Sequence, residues 1–559
     1  MDDAVTEMKI DVAVIGSGAA GFAAALTAKT HGLDVHIFEK AEVFGGTSAI
    51  SGGVAWVPGN HLMEGAGADS AEDVLRYLRP HVGNRSNDAL LQSFATQAPR
   101  MLAFLTENRF LRVGRMEGFP DYQAETPGGH AAPNGGGRSV EPLVFSGAKL
   151  GDWLPKLRHR PSKLPVVGTM SELRRLAAVK TDFWEFLQGW RAIPRTFWGR
   201  LTGANHLASG AALIGWLAHA AKSLGIPLHL STPLESLVVE SDRVQGMVVT
   251  RGEQTMRVAV RKGVILASGG FDHNGALREA HLARGAAQGY SVGVPSNTGD
   301  GQLAAQASGS ALANMDSAWG APVCLVPGSG PQIVIFERGK PGQVIVDANG
   351  ERFANEAQPY GDFVRAMLEA NAASNAAIPA FMIFDQTFRD RYPMGPLLPG
   401  VTPESAIDNG FLTRTDSLEL LAEALDINAS GLVQTVDRFN EMAAAGVDAD
   451  FQRGEFAFDR YGGDRSVSPN PCMGPITRPP FYAVKLYPGD LGTNGGVHTN
   501  EHAQALNSAG QPIEGLYAAG NCAASALGGF YPGAGGTIGP AMTFAYIAAR
   551  HLAGEALAD

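Results

Sequence analysis

An apolar run, Ile10 to Ile15, stops abruptly at Gly16-Ser17-Gly18-Ala19-Ala20-Gly21. A small-residue stretch, Ala23 to Lys29, follows, and then a second apolar run, Asp34 to Phe38, that ends at Glu39. This order predicts a buried strand, a tight glycine turn, a helix whose N-terminus faces a pyrophosphate, and a second strand. Glu39 is then placed to accept hydrogen bonds from a ribose 2′-hydroxyl, so the segment reads as a dinucleotide site.

The same patterning predicts strands at His229–Glu240, Gly246–Thr250, Met256–Val260 and Gly263–Ala267, the last ending in Ser268-Gly269-Gly270. Ser296 to Gly301 reads as a loop that opens a small-residue helix, Gln302–Gly309. From about 305 to 478 the texture changes to Pro/Gly-rich loops, a strand at Gln343–Val346 and a helical stretch Ser417–Ala445, which suggests a second domain. The chain is expected to return with a strand at Phe481–Leu486 and another within Gly515–Asn521. A last helix, about Gly539–Leu557, begins from Gly535-Gly536-Thr537-Ile538 and can present amides to an electron-rich ring edge. The domain expectation is 1–304 with 479–559 for nucleotide binding, including a helical insertion at about 150–220, and 305–478 for catalysis.

Within that insertion Phe183-Trp184, Trp190, Phe197-Trp198 and Trp216 alternate with Arg191, Arg195 and Arg200. Two readings stand: a peripheral membrane contact through about 180–216, or helices packed on the protein or a partner subunit. Pro194 argues against one long helix here.

Lys plus Arg number 44 and Asp plus Glu 55, a net charge of −11 that disfavours a nucleic-acid partner. The 70 glycines cluster in loops, where backbone must approach a ligand closely. Cys324, Cys472 and Cys522 form no CxxC and no metal-ligand cluster, which excludes a disulfide framework and fits a reducing compartment. Met1 to Asp11 is acidic and runs straight into a strand, which predicts no leader and a cytoplasmic location. No apolar stretch has the length of a membrane span.

Gly16 to Gly21, Glu39-Lys40, Gly45 to Ser48, Ser51 to Gly53, Ala267 to Gly270 and Thr298 to Gly301 resemble the fumarate reductase/succinate dehydrogenase flavoprotein superfamily over essentially the whole chain. A narrower resemblance is to the 3-ketosteroid Δ1-dehydrogenase family. It rests on Pro488 to Thr493, Gly495-Gly496, Gly515 to Asn521 and above all Tyr531 to Thr543, with Pro120 to Tyr122, Pro127 to Gly129, Arg352 to Glu356 and Pro359-Tyr360. The resemblance implies an α/β fold: a Rossmann-like FAD-binding domain with an inserted α+β catalytic (capping) domain. It implies FAD held by Gly16, Gly18, Ala19, Ala20, Glu39, Lys40, Gly46, Thr47, Ser48, Ser51, Gly52, Gly53, Val238, Ala267, Ser268, Gly269, Asp300, Gly520, Asn521, Gly536, Thr537 and Ile538.

The implied reaction removes a proton and a hydride from adjacent carbons beside a ketone, with an external acceptor such as a quinone taking the electrons. By the same resemblance Tyr531 and the Gly535 amide polarise the ketone, Tyr360 is the base, and Tyr122 assists it. Trp56, Val57, Pro58, Leu527 and Phe530 are expected to offer apolar surface, Tyr487 to rank below Tyr531 as a cavity residue, and Tyr482 to be structural. A 3-oxo-5α-steroid 4-dehydrogenase and a dehydrogenase of smaller cyclic ketones stay open. A dicarboxylate reductase is disfavoured because Leu527 to Gly535 lacks an arginine. The chain also departs from the family at Leu527-Gly528 and Gln123, which bears on substrate identity.

Overall fold

The computed structural model describes residues 6–63, 68–132, 137–159, 166–177, 183–286 and 289–555. Outside them lie the first residues of the N-terminal segment, 160–165 and 178–182 of the helical excursion, the Phe183 side chain and the expected last residues of the C-terminal helix.

Two sheets organise the molecule. The first is built from β1 (Thr6–Ile15), β2 (Val35–Phe38), β3 (Leu228–His229), β4 (Leu234–Glu240), β5 (Arg243–Arg251) and β6 (Gln254–Leu266). The second is built from β7 (Ala318–Val326), β8 (Gly330–Ile333), β9 (Gln343–Val346), β10 (Ala380–Asp385), β11 (Thr413–Thr415) and β12 (Phe481–Thr493). The chain rejoins the first sheet with β13 (Gln504–Leu506) and β14 (Pro512–Ala518). The first sheet runs β13-β14-β5-β6-β1-β2-β3, with β4 beside β5. Its centre is parallel: Ile15 lies opposite Leu266 and Phe38 on its two sides, and Leu266 lies opposite Ala518. Parallel strands covered on both faces read as apolar runs, which is why the pattern was legible.

Helices α1 (Ala19–Thr30), α3 (Ser209–Ser223) and α6 (Ile538–Leu552), with the short α2 (Gly46–Ile50), cover the sheet. Phe22, Leu26, Leu213, Leu217, Ile547 and Leu552 share one core there, each contributing about 1.5–3 kcal/mol by burial. Helices α4 (Asp300–Ala307) and α5 (Tyr360–Ser374) lie farther along the chain.

Several expected elements shift. His229–Glu240 is two strands, broken at Ser231, whose φ is +51°. Met256–Val260 and Gly263–Ala267 are parts of one strand, β6. Ser417–Ala445 is two helices, Leu418–Leu425 and Ala429–Ala445, parted at Asp426 with φ +58°. The strand beginning at Phe481 belongs to the second sheet, where β12 pairs with both β7 and β10, so the crossing back lies after Thr493. The helical excursion is pinched at its base by Phe145 opposite Leu207, which leaves α3 and its Trp216 in the core of the first sheet. Trp216 donates to the Leu143 carbonyl at 2.9 Å. Trp184, Trp190, Phe197 and Trp198 are 50–74% exposed. Pro194 sits in the first turn of helix Ala192–Leu201, where no amide bond is lost.

Candidate active site

A continuous cavity of about 630 Å³ runs from the C-terminal ends of β1, β2 and β6 to the second sheet. At the nucleotide end, Gly16 has φ +105° and a Cβ there would stand 2.3 Å from the Ala267 carbonyl oxygen. Only glycine permits that approach, and it lets the N-terminus of α1 open onto the cavity. Glu39 is buried; one carboxylate oxygen accepts from the Ser17 amide at 3.1 Å and its hydroxyl at 2.6 Å, the other from the Ala41 amide at 3.0 Å. Lys40 donates to Thr298 Oγ1 and Asp300 Oδ2, both at 2.5 Å, and so ties the end of β2 to the start of α4. Glycine-framed backbone, a helix N-terminus and an anchored acid fit the pyrophosphate and ribose of FAD.

Of the residues expected to hold FAD, Gly16, Gly18, Ala19, Ala20, Glu39, Lys40, Gly46, Thr47, Ser48, Ser51, Gly52, Gly53, Ala267, Ser268, Gly269, Asp300, Gly520, Asn521, Thr537 and Ile538 line this cavity. Gly536 instead borders a smaller void of about 30 Å³ that shares Gly520, Asn521, Thr537 and Ala541 with it. Val238 is a correction: it lies within β4, paired with Gly246, and Thr232 and Leu234 at the start of that segment line the wall. Trp56 and Leu527 are also corrected, being fully buried in the core. Phe530 stacks on His81 at 4.3 Å, and Tyr487 packs against Tyr290 at 5.0 Å; neither is among the lining residues. Tyr482 is structural, its hydroxyl donating to Gln386 Oε1 at 2.5 Å.

Tyr122, Tyr360 and Tyr531 come from three distant stretches and meet on the cavity wall. The rings of Tyr122 and Tyr531 stack at 5.5 Å and 16°, and Tyr360 meets both edge-on at 5.4 and 5.2 Å. Tyr360 thus touches both other rings, and Thr537 and Gly535 lie close enough to the Tyr531 phenol to bear on its ionisation. Burial pushes all three phenols up, Tyr122 and Tyr360 well above 10. At Tyr531 that is opposed by hydrogen bonds from Tyr360, Thr537 and Gly535, and at Tyr122 by Tyr360 and the positive field of Arg338. Gly535 has φ +89°, and a Cβ there would sit 2.5 Å from the Val54 carbonyl oxygen.

A buried polar network, unsignalled in the sequence, fixes this cluster. Arg138 is fully buried, holds Asp69 through two bonds of 2.7 and 2.8 Å, and donates to Asp121 at 2.8 Å. Asp121 also accepts from Trp56 Nε1 at 2.8 Å. The Tyr77 hydroxyl and the Tyr122 amide both donate to the Pro532 carbonyl, at 2.7 and 3.0 Å, so one oxygen joins the Tyr122 loop to the Tyr531 loop. Trp319 adds an edge contact to Tyr531 at 5.3 Å and donates to Asn521 Oδ1 at 3.1 Å. Met116, Phe119, Met170, Ile335, Phe458 and Leu491 give the cavity an apolar wall beside the tyrosines. Of these six only Leu491 lies in a motif read from the sequence, Pro488 to Thr493, and only the fold assembles them.

The FAD binding domain family matches residues 11–538. A 3-oxosteroid 1-dehydrogenase of Mycobacterium tuberculosis (strain ATCC 25618 / H37Rv) is 40% identical over 99% of this chain and 100% of its own length. A 4-oxocyclohexanecarboxylate 2-dehydrogenase of Sinomonas cyclohexanicum is 36% identical over 98% of this chain and 93% of its own. The crystal structure of 3-ketosteroid Δ1-dehydrogenase from Sterolibacterium denitrificans, in complex with 1,4-androstadiene-3,17-dione, superposes with a TM-score of 0.93. It is 39% identical and covers 98% of this chain and 99% of that one. The chain is an FAD-dependent oxidoreductase and belongs to the 3-oxosteroid 1-dehydrogenase family of FAD-binding flavoproteins.

Proposed function

We propose that this protein introduces a C1–C2 double bond into a 3-ketosteroid, with Tyr531 and the Gly535 amide activating the ketone, Tyr360 taking the proton and Tyr122 passing it outward. The observation that carries the reading is the packing of three tyrosines on an apolar wall continuous with the nucleotide cradle. Proton loss beside a ketone builds enolate charge on its oxygen, and two converging donors stabilise that charge more than the neutral ketone. FAD, when bound, supplies the acceptor for the hydride. The apolar wall excludes water and holds a flat ring system in place.

A dehydrogenase of carboxylated cyclohexanones, the activity in the name of the 36% relative, needs a cation for the carboxylate. Among the described lining residues the single Lys or Arg is Lys40, engaged with Asp300 at the nucleotide end. We read the electron acceptor as a quinone and the location as cytoplasmic with peripheral membrane contact. Among the described residues no helix is long and apolar enough to cross a membrane. Exposed Trp184, Trp190, Phe197 and Trp198 beside exposed Arg191 suit the headgroup boundary, where both steroid and quinone concentrate.

The test is anaerobic mixing of the holoprotein with androst-4-ene-3,17-dione. Flavin bleaching with a product lighter by about 2 Da supports the reading. Unchanged flavin and unchanged steroid refute it. Sedimentation with anionic vesicles tests the membrane contact, which Trp184→Ala with Trp198→Ala should abolish.

A further inference from the structure

The reaction makes no use of Glu337, although this residue is among those lining the same cavity. The stretch Pro331 to Glu337 forms one wall of the cavity, and Ile333 and Phe336 are each 39% exposed, so this wall is also a rim. Ile335, two residues away, packs with Met116, Phe119, Phe458 and the tyrosines. The ionisable lining residues among those described are Glu39, Lys40, Asp300, Glu337 and the three tyrosines. The first, second and third belong to the nucleotide end, which leaves Glu337 as the carboxyl on the apolar side.

The neighbouring cations are committed elsewhere. Arg338 is fully buried and donates to three backbone carbonyls, Val334 at 2.9 Å, Glu356 at 2.6 Å and Gln358 at 3.2 Å, with its guanidinium 4.7 Å from the Phe363 ring centre. Lys340 donates to the Gly463 carbonyl at 2.8 Å. Neither forms an ion pair with Glu337 among the described contacts. Burial pushes the Glu337 carboxyl up, opposed by the backbone amides of Glu337 and Ile335 and by the charge of Arg338 and Lys340, so the carboxylate form dominates on the alkaline side of neutrality. A carboxyl set in an apolar wall is costly unless the site uses it.

We propose that Glu337 is a selectivity residue that restricts the cavity to uncharged ketones by opposing a carboxylate on the part of the substrate facing the 331–337 wall. This rests on the 3-ketosteroid reading, in which the ketone lies at Tyr531 and Gly535 and the far end of the steroid meets other walls. Two carboxylates brought together across a low-dielectric rim repel strongly, enough for a discrimination of about tenfold or more.

The test pairs 3-oxochol-4-en-24-oic acid with its methyl ester, which share a skeleton and differ in charge. Both kcat/KM and equilibrium binding to the holoprotein are measured on the alkaline side of neutrality, for the wild type and for Glu337→Gln and Glu337→Arg. The expected result is an ester preference of about tenfold or more in the wild type, compressed toward unity in Glu337→Gln and reversed in Glu337→Arg. An acid-to-ester binding ratio that stays within about twofold across the three proteins overturns the proposal. Turnover of neither compound by the wild type, with androst-4-ene-3,17-dione also left unconverted, overturns the 3-ketosteroid reading instead, and the binding ratio still decides the role of Glu337.

Discussion

Tyr531→Phe removes a single oxygen and keeps the ring. The stacking on Tyr122 at 5.5 Å and the edge contacts to Tyr360 at 5.2 Å and Trp319 at 5.3 Å are all ring contacts, so the pocket wall is retained. What is lost is the phenol hydroxyl itself, whose ionisation Tyr360, Thr537 and Gly535 influence. One of two donors to the developing enolate oxygen disappears, while the Gly535 amide remains. Losing one such donor costs about 10²- to 10³-fold, or about 2.7–4 kcal/mol of transition-state stabilisation. Because the charge develops after binding, the loss should fall on the rate of flavin reduction, with substrate affinity changed by less than about threefold. Fold stability should drop by about 1–2 kcal/mol as buried partners lose an acceptor. The assay is anaerobic stopped-flow flavin bleaching over a substrate series. A reduction rate within about tenfold of wild type, or a loss carried wholly by affinity, would refute the role of Tyr531.

Four further outcomes are expected. Because burial holds Tyr360 and Tyr122 well above 10, the base form is scarce at neutrality, and flavin reduction should climb about tenfold per pH unit without a plateau below about pH 9; a neutral plateau excludes a tyrosine base. Arg338→Gln removes the cation that favours the Tyr122 anion and frees the carbonyls of Glu356 and Gln358 just before Tyr360, so the rate should fall about tenfold and the alkaline pH at which it levels off should rise, whereas a fall with an unmoved levelling point marks a purely structural role. Burial alone would raise Asp69, yet His130 and Arg138 bring it down to about 2; a lowered acid stabilises the fold above its unfolded pKa, so about 2 kcal/mol should be lost as pH falls from about 4 toward 2, and Asp69→Asn should flatten that acid limb in denaturant titrations. Gly16→Ala places a Cβ 2.3 Å from a backbone oxygen at φ +105°, and the purified variant should carry less than about a tenth of the wild-type flavin by absorbance ratio.

The polar network around Arg138 shows how the chemistry depends on parts far from the reacting atoms. The Tyr122 and Tyr531 loops are separated by some four hundred residues, yet both are fastened at the Pro532 carbonyl, by Tyr77 and by Tyr122 itself. Ser139 fastens the next turn by donating to the Ala534 carbonyl at 2.8 Å, and the Trp56 amide holds the Gly535 carbonyl at 3.0 Å. The Gly535 amide is thereby aimed by its neighbours on either side.

By itself the sequence determined whatever depends on local periodicity and glycine placement. The strand–turn–helix–strand–acid order from Ile10 to Glu39 is local, and the fold reproduces it with Glu39 held between Ser17 and Ala41. Most of the cofactor-facing residues lie in such glycine-rich turns, where backbone conformation is written into residue type. The tyrosines entered through resemblance to a family, since nothing in the spacing of residues 122, 360 and 531 says that their rings meet. Tertiary structure alone decided that meeting, the apolar wall from Met116 to Leu491, and the buried Asp69–Arg138–Asp121 network. It also decided against Val238, Trp56, Leu527 and Phe530 as lining residues and moved Phe481–Thr493 into the second sheet. Long-range packing chooses which face of a strand or loop meets a cavity, and a one-residue change of face reverses that choice without altering the local pattern.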